Sequence, residues 1–391
     1  MEFGLNEIQE EFKSTAHKFF KETCSISELR KVETLNNGFS PALYKEIAEL
    51  GFLGLIIPEE YGGVGGSLMD LAIVVEEAGW AALPAPFLST ISYGVIPLLE
   101  NGTEEQKRML LPQIAEGKLI FTGAMSEPKA HYDLRHVAAL ADADGDGYSL
   151  SGKKLFVPFG ESADYLLTLA RTSSGQSVGE QGLSLFLVKG SQPGIHFKPL
   201  PAVGPDRLYE VEYQNVTLLS SDALGDINNG WSVTQKTIQM AAALQCVEMA
   251  GVLRRALEVT NDYVKERRQF GRPIGSYQSV QHRLSDMFTI VEGGRLAAYQ
   301  AIWRLEAGLP AEREVSIAKV WLGKAGQNVL TGAHQLHGGM GIDLDYPLQF
   351  CYRRFKSQQL NLGNASAFLK QISQSLGKQS NPAIDSIAVR S

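Results

Sequence analysis

Arg267 and Phe270 stand three apart in the run Tyr263-Val-Lys-Glu-Arg-Arg-Gln-Phe-Gly-Arg-Pro-Ile274, and helical spacing would set them on one face. An arginine offers a planar fork of donors that suits a diphosphate, and a phenylalanine a flat apolar contact. Further on, Gln335-Leu-His-Gly-Gly-Met-Gly341 joins a neutral hydrogen-bonding arm, Gln335, to Gly338 and Gly339. Without side chains there, backbone N–H groups can approach a phosphate closely. Taken singly, Arg267 also reads as a solvated helix charge and Phe270 as a core aromatic. His334 and His337 lie three apart, but no third ligand stands near, so no metal is expected. Asp142-Ala-Asp-Gly-Asp-Gly147 opens like a calcium loop, yet its twelfth position is Lys153 where a bidentate glutamate is needed, so a β-turn is expected. The Gly62 to Gly66 run has no following Lys-Ser/Thr and is not a P-loop.

The elements that must position these residues change character along the chain. Residues 1 to about 120 read as helical: Leu5, Ile8, Phe12, Ala16 and Phe19 recur at helical spacing, and Asn6 with Gln9 is a capping pair. Pro41 opens a helix that Gly51 ends, Ser67 to Trp80 forms another, and Thr103 followed by Glu104 and Glu105 starts a third. From 121 to 235 short apolar runs at Tyr148–Leu150, Lys154–Val157, Tyr165–Ala170, Leu183–Val188 and Tyr209–Val216 alternate with turns such as Asp144–Gly147 and Ser173–Gly175. That pattern predicts a small antiparallel β domain. Helical periodicity returns after Trp231 and holds over 236–380, with Gly271-Arg-Pro273 and Gly338-Gly-Met-Gly341 as interruptions. The tail over 381–391 is expected to be loose. The fold class expected is α+β and multidomain: a helical domain over 1–120, a β domain over 121–235 and a C-terminal four-helix bundle.

Composition narrows the partners. The chain has 391 residues, 44% hydrophobic and 20% charged, with a formal net charge of −7. An acidic balance without a basic stripe argues against nucleic acid and against insertion into an anionic membrane. No basic segment followed by an apolar run opens the chain, so no signal peptide is expected. Cys24, Cys246 and Cys351 are isolated and suggest a reducing cytoplasm.

Five motifs fall in one order: Gly54-Leu-Ile-Ile-Pro-Glu-Glu-Tyr-Gly-Gly63; Met125-Ser-Glu-Pro128; Gly152-Lys-Lys-Leu-Phe-Val157 with Ala163 to Arg171; the Tyr263–Ile274 run with Tyr277 and Gln278; and Gln335–Gly341 leading to Asp345-Tyr-Pro347 and Arg353-Arg354. In that order, over about residues 3–375, the chain resembles the acyl-CoA dehydrogenase family. The resemblance implies FAD as cofactor and α,β-desaturation of an acyl-CoA thioester. It also implies a dimer or tetramer, and an electron-transfer flavoprotein as acceptor. It makes Arg267, Phe270, Tyr277, Gln278, Gln335, Gly338 and Gly339 contacts for the FAD, reaching across a subunit interface, and Ser126 and Phe156 contacts near the flavin.

The chain departs from the family where the chemistry is done. The family places a glutamate base at one of two positions, which read here as Leu362, in Asn361-Leu-Gly-Asn364, and Ala241, with Ala242 in place of an adjacent arginine. Neither side chain can accept a proton. No acidic residue lies between Asn228 and Glu248, and Glu248 is seven residues past Ala241, about 10 Å along a helix. The family's Thr-Glu-Pro-Gly-Ala-Gly-Ser-Asp loop reads Ser126-Glu-Pro-Lys-Ala-His-Tyr-Asp133. Glycines are thus lost at Lys129 and His131, and Tyr132 replaces a serine. The family threonine beside flavin N5 is Pro158, with neither hydroxyl nor N–H. These losses lead to one expectation: a base-less partner subunit that lends half of a FAD site to a homologous chain. Two alternatives stand beside it. One is a catalytic flavoenzyme using a relocated base, among Asp343, Asp345, Glu210 and Glu212, or a base-independent elimination. The other is a flavin-free scaffold or CoA-binding module.

Overall fold

The computed structural model describes residues 4–130, 132–172 and 179–379. His131, the Ser173–Gly175 turn and the 381–391 tail lie outside the described residues. The chain divides into two compact units, 1–241 and 242–391.

The first unit begins with helices whose ends carry their own stop signals. α1 (Glu7–Thr23) starts at a reciprocal cap in which Gln9 N–H donates to Asn6 Oδ1 (2.9 Å) and Asn6 N–H to Gln9 Oε1 (3.2 Å). α2 spans Ile26–Thr34, and α3 (Pro41–Glu49) has proline in its first turn, with Gly51 following at φ +76°. α4 (Leu68–Trp80) is capped by Ser67 and Asp70 and buries nearly every side chain. α5 (Phe87–Thr90) and α6 (Ile96–Asn101) are joined by a π-helical turn, Ile91–Val95, that the sequence pattern did not mark. α7 (Glu104–Ala115) repeats the reciprocal cap with Thr103 and Gln106.

Eight strands then form one sheet: β1 (Phe121–Ala124), β2 (Leu140–Asp144), β3 (Gly147–Pro158), β4 (Tyr165–Arg171), β5 (Leu183–Lys189), β6 (Ile195–Leu200), β7 (Leu208–Leu219) and β8 (Ala223–Leu224). Their order is β6-β7-β3-β2-β4-β5-β8, with β1 paired to β4. The sheet is mixed rather than purely antiparallel, because β1 runs parallel to β4. The connection between them is long enough for the crossover a parallel pair needs. The two runs expected at Tyr148–Leu150 and Lys154–Val157 are one strand. Both halves pair with β7, and register shifts at Leu150/Gly152 and Lys154/Val157 let it bend. The Asp142–Gly147 segment is a hairpin, Asp144 pairing with Gly147 across Gly145 at φ +57°. It is not a calcium loop.

Lys154 points into this unit with 0% exposure. Its Nζ donates to Glu127 Oε1 (2.7 Å) and to the carbonyls of Leu169 (2.5 Å) and Met125 (3.4 Å). Glu127 in turn accepts the N–H groups of Ala138 (2.7 Å) and Ala139 (3.0 Å). Burial lowers the Lys154 pKa, and Glu127 opposes that shift. The pair ties the segment after β1 to β3 and β4.

The second unit is helical apart from one small hairpin. α8 (Gly230–Glu266) carries the chain into it, and β9 (Arg268–Gln269) and β10 (Arg272–Pro273) form the hairpin. α9 (Gln278–Glu306), α10 (Glu312–His337), α11 (Pro347–Leu360) and α12 (Ala365–Gln379) complete it, so more than four helices build it. α10 packs against α9, α11 and α12 along the buried stripe Val315, Ala318, Leu322, Val329, Leu330 and Ala333. Among the described residues no helix is long and apolar enough to cross a membrane. No group of three or more potential metal ligands occurs among them either.

Replacing Glu127 by alanine strands the Lys154 ammonium, so the expected cost is about 3–5 kcal/mol of unfolding free energy. Urea denaturation of the variant checks it.

Candidate functional site

The candidate residues fall into two groups, one on each unit. On the second unit, α8 stops at Glu266, and Arg267 N–H bonds Tyr263 O (2.8 Å) as the last helical contact. Arg268 and Gln269 then turn back onto Pro273 and Arg272 through Phe270 (φ +52°) and Gly271 (φ +83°). Arg267 and Phe270 therefore do not share a helix face, contrary to the spacing argument. Two successive residues with positive φ make a tight hairpin turn that a helix cannot contain. The turn leaves Phe270 93% exposed. Left-handed backbone is costly for a bulky residue, so this ring is displayed at the expense of local strain.

Tyr277 and Gln278 stand at the start of α9. Gln278 is exposed. The Tyr277 ring lies 4.0 Å from the Arg272 guanidinium, and its hydroxyl donates to Gln269 O (3.3 Å), so Tyr277 clamps the hairpin. Gln335, Gly338 and Gly339 come together at the end of α10, all exposed. Gly338 has φ +59° and ψ −136°, a conformation reserved for glycine. Side chains added at Gly338 or Gly339 would meet nothing within 4 Å, so the backbone there faces open space.

His337 holds this glycine turn. Its Nδ1 faces Ala333 O (2.8 Å), which can only accept, so Nδ1 carries the proton and Nε2 accepts from Tyr346 Oη (3.0 Å). The Tyr263 ring stacks on the imidazole at 4.3 Å, and burial pushes the His337 pKa down, favouring the neutral ring. Nothing in the spacing of His334 and His337 signalled this positioning role.

On the first unit, Leu155 N–H donates to Ser126 O (2.9 Å), which sets Ser126 beside the strand that carries Phe156. Phe156 lies at the β3 bulge with φ +58° and is 59% exposed. Phe159, three residues on, also has positive φ but is buried edge-on against Phe39. Pro158 presents its carbonyl to Thr122 Oγ1 (2.6 Å).

The two residues matched by resemblance to the family's base, Ala241 and Leu362, are not acids. Ala241 is buried within α8. Leu362 follows α11 with φ +60°, its N–H bonded to Asn361 Oδ1 (3.0 Å). Glu248 is committed elsewhere, since its Oε1 accepts both Nε (3.0 Å) and Nη2 of Arg354 in the interior. Among the other acids weighed, Glu210 is hydrogen-bonded to Lys153 (2.8 Å), which holds its carboxyl below the usual range and away from the pKa a base needs. Glu212 lies 3.6 Å from the same lysine. Asp343 and Asp345 are exposed in one loop, Asp345 N–H donating to Asp343 Oδ1 (2.9 Å).

Lys319 went unremarked in the sequence. Its signal was a lysine on the apolar stripe of α10. It is 2% exposed and donates to Gln245 Oε1 and to the carbonyls of Gln358 (2.8 Å) and Asn361 (2.9 Å).

Three family models match the chain in order: the N-terminal domain of acyl-CoA dehydrogenase over 6–118, its middle domain over 122–216 and its C-terminal domain over 228–377. A 3-(aryl)acrylate reductase from Clostridium sporogenes is 31% identical over 322 residues, 81% of this chain and 84% of that protein. The solved butyryl-CoA dehydrogenase of Megasphaera elsdenii superposes with TM-score 0.90 at 27% identity, covering 96% of this chain and all of the other. The FAD complex of PigA gives TM-score 0.89 at 26% identity, covering 97% and 100%.

Because Phe270 is strained and exposed, its replacement by asparagine, which tolerates left-handed backbone, is expected to leave stability unchanged or raise it by about 1 kcal/mol. A thermal melt of the variant reads this directly.

Proposed function

The chain belongs to the acyl-CoA dehydrogenase family, and from that premise we propose that it lends half of a FAD site to a homologous subunit carrying the catalytic base. The reaction proposed for the assembly is α,β-desaturation of an acyl-CoA thioester, with an electron-transfer flavoprotein as acceptor. The observation that carries this reading is an asymmetry. Arg267, Phe270, Gln335 and the Gly338–Gly339 backbone are displayed on the second unit. Both base positions, Leu362 and Ala241, are meanwhile hydrocarbon.

The displayed groups fit a dinucleotide by their chemistry. Arg267 offers a fork of donors for a diphosphate, the open glycine backbone offers N–H groups, Gln335 offers an amide, and the Phe270 ring is a flat surface awaiting cover. Bound FAD supplies the hydride acceptor. The residues of this chain bind and orient; none of those at its own base positions moves a proton. Around its own flavin position, Ser126 keeps a hydroxyl and Phe156 an exposed ring, whereas Pro158 offers no hydrogen to N5. The proposed three-part division at about 120 and 235 follows the family plan. Cys24, Cys246 and Cys351 form no disulfide, and a reducing, cytoplasmic setting is proposed from their isolation in the sequence. One relative is named a 3-(aryl)acrylate reductase, so activity is best assayed in both directions.

The test is a set of variants in a complex with a glutamate-bearing homologue. Arg267→Ala in this chain is expected to weaken flavin binding by roughly tenfold to a hundredfold, the value of one charged hydrogen-bonding group. Leu362→Ala is expected to leave turnover within about twofold, since hydrocarbon at that position performs no proton transfer. Turnover by this chain alone, with one flavin each, contradicts the reading.

A further inference from the structure

Leu362 holds a left-handed conformation (φ +60°) with Gly363 at φ +117° beside it. A branched side chain adopts that backbone only where its surroundings over-determine it. The residue before it supplies the constraint. Asn361 ends α11, its carbonyl is bonded by Lys319 Nζ (2.9 Å), and its side chain accepts the Leu362 N–H (3.0 Å). Lys319 also takes the Gln358 carbonyl (2.8 Å) at the same helix end and Gln245 Oε1 from α8. All three ammonium hydrogens are thus used. The cation sits where helix C-terminal carbonyls are unsatisfied and the helix dipole is negative. On the far side of the turn, Asn364 Oδ1 accepts Ala367 N–H (3.0 Å) and starts α12.

We propose that Lys319 is the positioning residue of the Asn361–Gly363 turn, pinning it in its left-handed form although residue 362 carries no carboxylate. The groups facing the ammonium are few. From α8 come Gln245, Cys246 and Glu248; from α11, Gln358 and Arg354, the latter through Glu248; from α12, the Phe368 ring at 6.0 Å. Glu248 is bonded to Arg354 and reaches Lys319 only as a nearby charge; the hydrogen bonds of the ammonium go to Gln245, Gln358 and Asn361. The hydrogen-bond acceptors of this buried charge are all neutral, so its desolvation is offset only by those bonds and by the more distant Glu248. Burial accordingly pulls the Lys319 pKa down to about 8.

The sign follows from that depression. Lys319 charged in the fold costs stability in full below about pH 8, and the cost is relieved as pH climbs from there toward the ordinary lysine value. Deprotonation nevertheless removes one donor from the turn. As pH rises, order of the turn therefore falls around the folded pKa of about 8, while global stability rises from there toward the ordinary lysine value. A merely structural lysine would move them together.

The test is hydrogen exchange on the full chain, corrected for intrinsic rates, at Leu362, Gly363 and the first turn of α12. In Lys319→Met, protection of these amides is expected to fall about tenfold or more while protection within α9 is unchanged, as for local rather than global opening. Lys319→Arg, which keeps donors, is expected to restore part of it. In the unaltered chain, the same amides lose protection between about pH 7 and about pH 9, whereas Lys319→Met shows no such dependence. Equal protection in Lys319→Met and the unaltered chain overturns the proposal, as does loss spread evenly over the helices. Should Lys319→Met not fold, the pH series on the unaltered chain decides alone, a flat profile overturning it. What the turn serves rests on the half-site reading above. Exchange needs no flavin, so a flavin-free complex would sink that reading and leave this result standing.

Discussion

Among the described residues two ammonium groups, Lys154 and Lys319, are carried into the interior, and each donates to backbone carbonyls of a segment that holds candidate positions. Lys154 holds Met125 and Leu169 carbonyls and the Glu127 carboxylate, fixing the stretch that contains Ser126. Lys319 holds Gln358 and Asn361 carbonyls, fixing the stretch that contains Leu362. A loop carbonyl buried without a donor costs more than a hydrogen bond returns. A lysine can satisfy several such carbonyls from one point, so it can hold irregular backbone where a helix or sheet ladder cannot. Lys154 donates directly to a carboxylate, whereas Lys319 feels Glu248 only at longer range, which makes the second peg the more sensitive one.

This scaffolding holds segments whose side chains cannot transfer a proton. The turn at 361–363 is held in a strained form around a leucine, and the β3 bulge presents a phenylalanine beside a proline. Glu248, the acid nearest in sequence to the Ala241 position, is locked to Arg354. By contrast, the hairpin of β9 and β10 uses Tyr277 and Arg272 to present a bare aromatic ring, and His337 uses both nitrogens to support a bare glycine backbone. On the proposed reading, these displayed groups are surfaces for an external ligand. A subunit that completes a neighbour's site would be built this way.

Much of this was legible in the residues. Capping pairs such as Asn6 with Gln9 are local and announce helix ends whatever the tertiary context, and the helix–sheet–helix plan followed from a change of period. That Leu362 and Ala241 cannot transfer a proton was legible from residue type in any fold; that they stand at the family's base positions is part of the proposal. Other features depended on partners distant in sequence. The parallel pairing of β1 with β4 has no local mark. Arg267 and Phe270 were misplaced because three-residue spacing implies a shared face only inside a helix, and the positive φ of Phe270 and Gly271 ends that premise. Lys319 looked like one charge on an apolar stripe, and its role emerged only when Gln245, Gln358 and Asn361 converged on it.

The central claim is that the flavin this chain helps to hold works in another subunit. The most direct measurement is the flavin content of the protein purified alone and together with a glutamate-bearing homologue. The account predicts little or no flavin on the lone chain and one flavin for each pair of unlike chains. One tightly bound flavin on every copy of the lone chain would contradict it.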